Sequence, residues 1–308
     1  MISGDITKRN TLSFSPWSIS ALLFSTAIWG GGFVFVKWLL PFFNTIEIHQ
    51  FRFFLAGLIG FIGVLYFRKD LNRKQLYLGF IASLFLNGML IFQTLGLGYT
   101  TVAKSGFLTT TYVLFIPVIL FLYRRQHFPF SFYIALLLSI LGIYFLSGSD
   151  LTQLNLGDYL TIICGLFAAL HIIYLEFIQK EVKNSFAFNC LQCLYIGLFS
   201  LLLYPFVNEA GSWEKLGNLS FLGYAGLIGL GFFSSVLAFT FQVVAQKKIP
   251  SHIVGLLFLL ESPFAALFGY VSLGEQLTLL SLVGCALILV ACAIAILYPS
   301  SSQANNQF

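Results

Sequence analysis

At 308 residues, with 58% hydrophobic and only 9% charged, the chain is far too apolar for a soluble domain, where roughly 25% charged residues are usual. Its net charge of +5 is spread over short loops, so no contiguous basic surface of the kind that binds nucleic acid is legible. The 36 Phe suit a surface that faces lipid.

A membrane-spanning helix needs about 20 apolar residues. The hydropathy pattern predicts ten, near 17–40, 46–67, 76–98, 102–123, 129–147, 157–178, 187–207, 219–245, 251–273 and 278–298. Residues 1–16 and 299–308 are then short tails, and 208–218 is the longest loop on its side. Lys8 and Arg9 ahead of the first apolar run resemble the start of a signal peptide. That run is too long for a signal and further spans follow, so an uncleaved first helix is expected.

The positive charge is sorted by side. Lys8, Arg9, Arg68, Lys69, Arg73, Lys74, Arg124, Arg125, Lys180, Lys183, Lys247 and Lys248 fall on the amino-terminal tail and the loops of one face. The opposite loops hold Lys104 and Lys215, and the apolar segments hold Lys37 and Arg52. Short basic loops resist translocation. The expected topology is therefore a multi-pass protein of the inner membrane with both tails in the cytoplasm.

Ten spans divide into 17–147 and 157–298 about a break near 148–156. An odd number per half turns the second half upside down relative to the first. Phe92-Gln93 recurs as Phe241-Gln242, and at the same offset of 149 Gly106 falls on Gly255 and Phe115 on Phe264. Inverted repeats are a known plan for secondary transporters, with the substrate site near the midplane. The expected fold class is all-α integral membrane, ten transmembrane helices as two inverted five-helix repeats.

An ionisable group in hydrocarbon costs roughly 2.5–3.5 kcal/mol on insertion scales, so it normally has a task. Taken in chain order, Trp29 lies too deep for an interfacial belt and is either a cavity wall or packing. Lys37 shares a face with Thr26, Gly30 and Phe33 at helical spacing. Arg52 reads as structural, bonding carbonyls or a carboxylate such as Glu275. Gln93 and Gln242, at matching points of the two halves, are placed to face each other. Lys104 begins the fourth span, and its face runs through Leu108 to Thr111. That face either meets an anionic substrate group or is a snorkelling lysine beside threonines that bond their own helix. Pro117 is a structural residue of the same span. His171 and Tyr174 make a polar stripe on the sixth span. Glu261, near the midplane, either carries a proton, because desolvation disfavours its charged form, or caps backbone freed by Pro263. Cys190 and Cys193 form a CxxC in an apolar helix with no further ligand, which reads as packing and not as a metal or redox site.

Several short segments together resemble one family. They are Trp29-Gly30-Gly31-Gly32-Phe33; Arg52-Phe53-Phe54-Leu55; the run Gly98–Leu108 with Ile116-Pro117; Leu260-Glu261-Ser262-Pro263; and Leu273-Gly274-Glu275 with Leu282-Val283-Gly284. Their order and spacing resemble the EamA-type members of the drug/metabolite transporter superfamily, ten-helix secondary transporters of bacteria. The resemblance covers about residues 20–298. Ser262 departs from the pattern, which more often has Glu directly before the proline. The resemblance implies a central cavity lined by spans 1, 3, 4, 6, 8 and 9, and a cargo among amino acids, other metabolites and drugs.

The expected function is alternating-access transport of amino acids or similar small metabolites, in the direction of export. No cofactor is expected, the partners are a small-molecule substrate and the lipid bilayer, and a monomer and a homodimer both stay open. Lys37, Lys104 and the Thr109–Thr111 step favour cargo that bears a carboxylate. The alternatives are a multidrug exporter of cationic compounds and a membrane-embedded enzyme. The enzyme would need a catalytic constellation, and His49, His127, His171 and His252 are scattered without one. No phosphate-binding G-x-x-x-x-G-K-[ST] loop exists to couple ATP. The topology is checked by cysteine labelling: an impermeant maleimide added outside cells should label a cysteine placed in 208–218 and spare one beside Arg125.

Overall fold

Helix starts in this chain are written in small polar residues. Asn44 and Asn155 each form a reciprocal capping box, with Glu47 and Asp158 respectively. Asn72, Ser220 and Thr278 accept from the backbone three residues on. Such caps satisfy amides that have no partner inside the helix. The structure, a computed structural model, describes residues 14–100, 102–147, 154–207 and 211–298. The chain runs as α1 (Pro16–Leu39), α2 (Thr45–Tyr66), α3 (Arg73–Leu97), α4 (Val102–Thr109), α5 (Tyr112–Arg124), α6 (Phe130–Ser147), α7 (Leu156–Ile178), α8 (Ser185–Val207), α9 (Ser212–Leu216), α10 (Phe221–Ile228), a π-helical segment (Gly229–Ala238), α11 (Phe239–Gln246), α12 (Ser251–Phe258), α13 (Glu261–Leu273) and α14 (Leu279–Leu297). Among the described residues, nine segments are long and apolar enough to cross a membrane, and Phe130–Leu146 is a shorter apolar helix.

Two of the expected continuous spans are broken. Residues 102–124 divide into α4 and α5 at Thr110–Thr111, and 251–273 divide into α12 and α13 at Leu259–Leu260. The hydroxyls of Thr110 and Thr111 bond the carbonyls of Phe107 and Leu108, three residues back. That competes with the regular ladder. At the second break Leu259 and Leu260 tighten to three-residue turns, and Pro263 follows with no N–H to give. The two breaks correspond. Each splits a span into pieces of eight and thirteen residues. The pieces begin 149 positions apart, Val102 with Ser251 and Tyr112 with Glu261. Even the ends match: Arg125 and Gly274 close α5 and α13 in the left-handed region, at φ 53° and 68°.

Hydrogen bonds and ion pairs define the two ends of the bundle. At the basic end Lys74 pairs with Glu181 at 2.8 Å, Asn184 bonds Asp70 and Lys247 bonds the Lys183 carbonyl. At the opposite end Glu47 is fully buried against Lys215 and Ser212, and Thr100 bonds Asp158. The backbone N–H of Ser251, which opens α12, meets Glu176 at 2.6 Å, and Arg124, which closes α5, reaches the same carboxylate at 3.5 Å. The second broken span therefore starts at the end of the bundle where the first one finishes.

The helices pack across the repeats: α2 on α8, α6 on α14, α3 on α7, and α1 on α10 to α13. The α2–α8 contact explains the CxxC. Gly57, Gly60 and Gly63 form a stripe on α2, against Gly197, Cys193 and Cys190 of α8. All five cysteines are free thiols. A Cβ on Gly60 would lie 2.6 Å from the Cys190 carbonyl oxygen and 2.9 Å from the Leu194 nitrogen, both backbone atoms that cannot rotate away. Close approach through small residues is how helices associate where lipid competes for apolar contact. Gly60→Val should cost about 1–3 kcal/mol, seen as a lower thermal midpoint in detergent. Gly106→Ala, at a position with nothing within 4 Å, should leave the midpoint unchanged.

Candidate functional site

Where the two broken spans meet α1, α3, α7 and span 8 (α10, the π-helical segment and α11), they enclose a cavity of about 180 Å³. Its walls are mainly apolar and include the rings of Trp29, Phe33, Tyr112, Phe239 and Phe258. Trp29 is central to them, with ring centroids 4.8 Å from Phe239 and 5.0 Å from Phe258. Among these rings stand Arg52, Gln93, Thr109, His171, Gln242 and Glu261, with Lys37 toward one end. Few polar groups in a mostly apolar pocket is the ordinary anatomy of a small-molecule site.

The π-helical segment organises one wall. Its Ser235 hydroxyl bonds the Leu230 carbonyl five residues back, at 2.9 Å. Bare glycines let it approach its neighbours, since a Cβ on Gly229 would strike the Phe35 ring and one on Gly231 would strike Leu55. The segment's carbonyls accept from side chains of two other helices, α1 and α8. Trp29 Nε1 bonds the Ser234 carbonyl at 3.0 Å, and the Ser25 hydroxyl bonds that of Ala238 at 2.9 Å. Asn189 Nδ2 bonds those of Ser235 and Val236 at 3.1 and 2.7 Å. The segment's two serine hydroxyls hold Arg52, Ser235 Oγ accepting from Nε at 2.7 Å and Ser234 Oγ from Nη2 at 3.2 Å. Single π-turns inside α-helices are frequent at functional sites.

The residues singled out from sequence are distributed as follows. Trp29, Lys37, Gln93, His171, Gln242 and Glu261 line the cavity, and so does Arg52. Arg52 meets serine hydroxyls and not Glu275, whose carboxyl lies instead over Gly269. Gln93 and Gln242 do not pair with each other. Gln93 bonds Thr109 at 3.4 Å, and Gln242 bonds Gln246 at 2.8 Å. Thr111 is outside the cavity wall, its hydroxyl turned back to Leu108. Tyr174 is also outside, bonding the Leu78 carbonyl and packing on Phe85. The side chain of Lys104, in α4, lies outside the described residues. Pro117 is inside α5 and Pro263 in the first turn of α13. Among the described residues, no hydrogen bond or ion pair reaches the Glu261 carboxyl, although it and Arg52 feel each other's charge. No cluster of His, Cys, Asp or Glu able to hold a metal ion occurs among the described residues.

Tyr112, Ser234, Ser235, Phe239, Phe258, Asn189 and Gln192 are not legible as site residues by motif. The serine pair and the two amides at i and i+3 in an apolar helix are the signals that mark them.

The cavity opens at one end. Lys37 and Leu40, at the end of α1 away from the basic loops, line it and are exposed. Toward the basic end it is stopped by a packed cluster including Leu22, Ile116, Leu120, Ile253, Val254 and Leu257. Every residue of α12 is buried. Glu176 fastens this half by holding the start of α12 and the end of α5, while the Arg124 guanidinium sits 3.9 Å from the Phe177 ring centroid.

A helical membrane bundle of two repeats around a central, one-sided cavity is the architecture of a membrane transporter. The chain belongs to the EamA-like transporter family, which matches it twice, over residues 16–148 and 155–297. It is similar to an uncharacterized transporter of Archaeoglobus fulgidus, 32% identical over 267 residues, covering 87% of this chain and 82% of that protein. A second, from Methanothermobacter thermautotrophicus, is 26% identical over 305 residues, covering 92% and 86%. The uncharacterized transporter YoaV of Bacillus subtilis is 24% identical over 282 residues, covering 87% and 92%. A protein of known crystal structure shares the fold, with a TM-score of 0.72 at 14% identity, over 90% of this chain and 96% of that one.

Access follows from the one-sided opening. In a cysteine-free background, a cysteine replacing Val36 should react with a water-soluble maleimide, and one replacing Val254 should not. Adding Glu176→Ala should raise labelling at the Val254 position severalfold.

Proposed function

We propose that this protein is a secondary carrier that moves small zwitterionic metabolites, foremost amino acids with apolar side chains, by alternating access. The observation that carries this reading is Arg52 and Glu261 in one aromatic cavity without a bond between them. Arg52 uses Nε and Nη2 on the two serines, which leaves Nη1 for a carboxylate of the cargo. Glu261 has no partner among the described residues and suits an ammonium. The rings of Trp29, Phe239 and Phe258 receive an apolar side chain. A zwitterion brings both charges at once and leaves neither protein charge uncompensated in the low-dielectric site. This narrows the preference for carboxylate-bearing cargo that Lys37 and the threonine step suggest.

Alternating access is supported by the paired breaks. The repeats correspond at an offset of 149 positions, yet α5 and α12 are packed together at the basic end while the cavity opens at the other. Exchanging the roles of the two halves would open the basic end. We assign ten spans, counting Phe130–Ser147, with the basic end and both tails in the cytoplasm of the inner membrane, since basic loops stay inside. The state described then faces outward. The proposed direction of net flux is export, the proton is the proposed coupling ion through Glu261, and no chemistry is done on the cargo.

Counterflow into liposomes tests the reading. Labelled apolar L-amino acids should accumulate against unlabelled ones without ATP. Glu261→Gln should abolish flux driven by a pH gradient and leave exchange partly intact. Robust movement of quaternary ammonium compounds with no amino-acid binding would replace this reading with a cationic-drug exporter, and release of a chemically altered compound would replace it with an enzyme.

A further inference from the structure

His171 lines the cavity, yet its ring is gripped from behind by α8. Its Nε2 lies 2.8 Å from Gln192 Oε1. Gln192 Nε2 in turn reaches Asn189 Oδ1 at 3.4 Å, and Asn189 Nδ2 reaches the Ser235 and Val236 carbonyls. The three side chains are buried, with 2%, 0% and 0% exposure.

This chain has one consistent direction. A backbone carbonyl accepts and never donates, so the Asn189 atom facing two of them is its NH2 group. The other tip of Asn189 is then oxygen, which needs a donor, so Gln192 turns its NH2 group there. Gln192 is left to present its oxygen to His171, and the ring nitrogen opposite must carry a proton. A neutral ring so held has its lone pair on Nδ1. No partner for Nδ1 is present among the described residues.

We infer that His171 is locked as the Nε2–H tautomer so that Nδ1 is a fixed acceptor for an N–H donor of the cargo, with Asn189 and Gln192 as positioning residues. The inference rests on the carrier reading above and sharpens its substrate class: the cationic head must carry N–H groups. A head with every N–H replaced by methyl keeps its charge and loses this bond, which is worth about tenfold or more in affinity. The lock originates in the π-helical segment, because its carbonyls set the orientation of Asn189.

Two measurements test this. Long-range proton–nitrogen correlation spectra of the full-length protein, labelled with 15N-histidine in micelles, distinguish the tautomers. The His171 signal is assigned by its loss in His171→Phe, or by elimination with separate changes at His49, His127 and His252 should that variant not fold. The Nε2–H pattern is expected in the parent protein, with a tautomer mixture in Gln192→Leu. An Nδ1–H pattern in the parent overturns the inference. In the second measurement, L-leucine is compared with its N,N,N-trimethyl analogue as a binding probe. The methylated compound should bind at least about tenfold more weakly, and His171→Phe should remove most of that difference. Equal affinity in the parent, or undiminished discrimination in His171→Phe, overturns the acceptor role and leaves the carrier standing. Absence of binding by any amino acid removes the cargo assignment and the acceptor role together, whatever the tautomer.

Discussion

Inside a bilayer no water is at hand to satisfy a backbone carbonyl, and each one left unpaired costs several kcal/mol. The Gly229–Ala238 segment departs from the α-helical ladder in the middle of the eighth span. A π-helix bonds its own carbonyls five residues on, but carbonyls at its carboxyl end, where the register changes back, also accept from side chains elsewhere. Trp29 and Ser25 come from α1 and Asn189 from α8. Arg52, from α2, closes the arrangement on the segment's hydroxyls. The demand fixes where α1, α2 and α8 sit around the cavity, and it sets the positions of Trp29 and Arg52 within it. One irregular stretch of backbone thus does the work that a dedicated binding loop does in a soluble protein.

Around that fixed wall the two broken spans differ in what they contribute. Tyr112 and Glu261 occupy matching positions at the start of the longer pieces, and both line the cavity. One is a neutral phenol and the other a carboxyl. A repeated scaffold with chemically unlike residues at its related points suits an unsymmetrical molecule. The zwitterion proposed above would be held in one orientation, since turned over it would set its ammonium against Arg52.

Much of this was open to a reader of the sequence. The sorting of Lys and Arg, the apolar run lengths and the 149-residue echo of Phe-Gln, Gly and Phe all describe features that survive in the structure as ends, helices and matched breaks. Trp29, Lys37, Gln93, His171, Gln242 and Glu261 could be picked out because polar or bulky groups in hydrocarbon are conspicuous. Thr111 and Tyr174 show where the reasoning fails. Counting helical turns from Lys104 puts Thr111 on the same face, and the break at Thr110–Thr111 resets that count. Tyr174 shares a stripe with His171, but three residues are about 60° short of a full turn, enough to carry it off the cavity and against α3. The π-helical segment leaves almost no compositional mark. Gly229-Leu230-Gly231-Phe232-Phe233 reads as ordinary apolar helix, and a change in bonding register is not written in hydropathy. Arg52 reads from sequence as structural, bonding carbonyls or Glu275; its partners, Ser234 and Ser235, are 182 and 183 residues away, and no local pattern points to them.

The unequal division of the broken spans has a consequence for depth. An α-helix rises about 1.5 Å per residue, so eight residues bring each break about 12 Å in from the face where its span begins. The two spans begin at opposite faces and are each about 34 Å long, so the breaks stand on two levels roughly 10 Å apart. Tyr112 and Glu261, the first residues beyond the breaks, each lie about 3 Å further in, so their own levels are only about 4 Å apart. A floor and a ceiling that close together leave room for one small molecule set against both repeats at once.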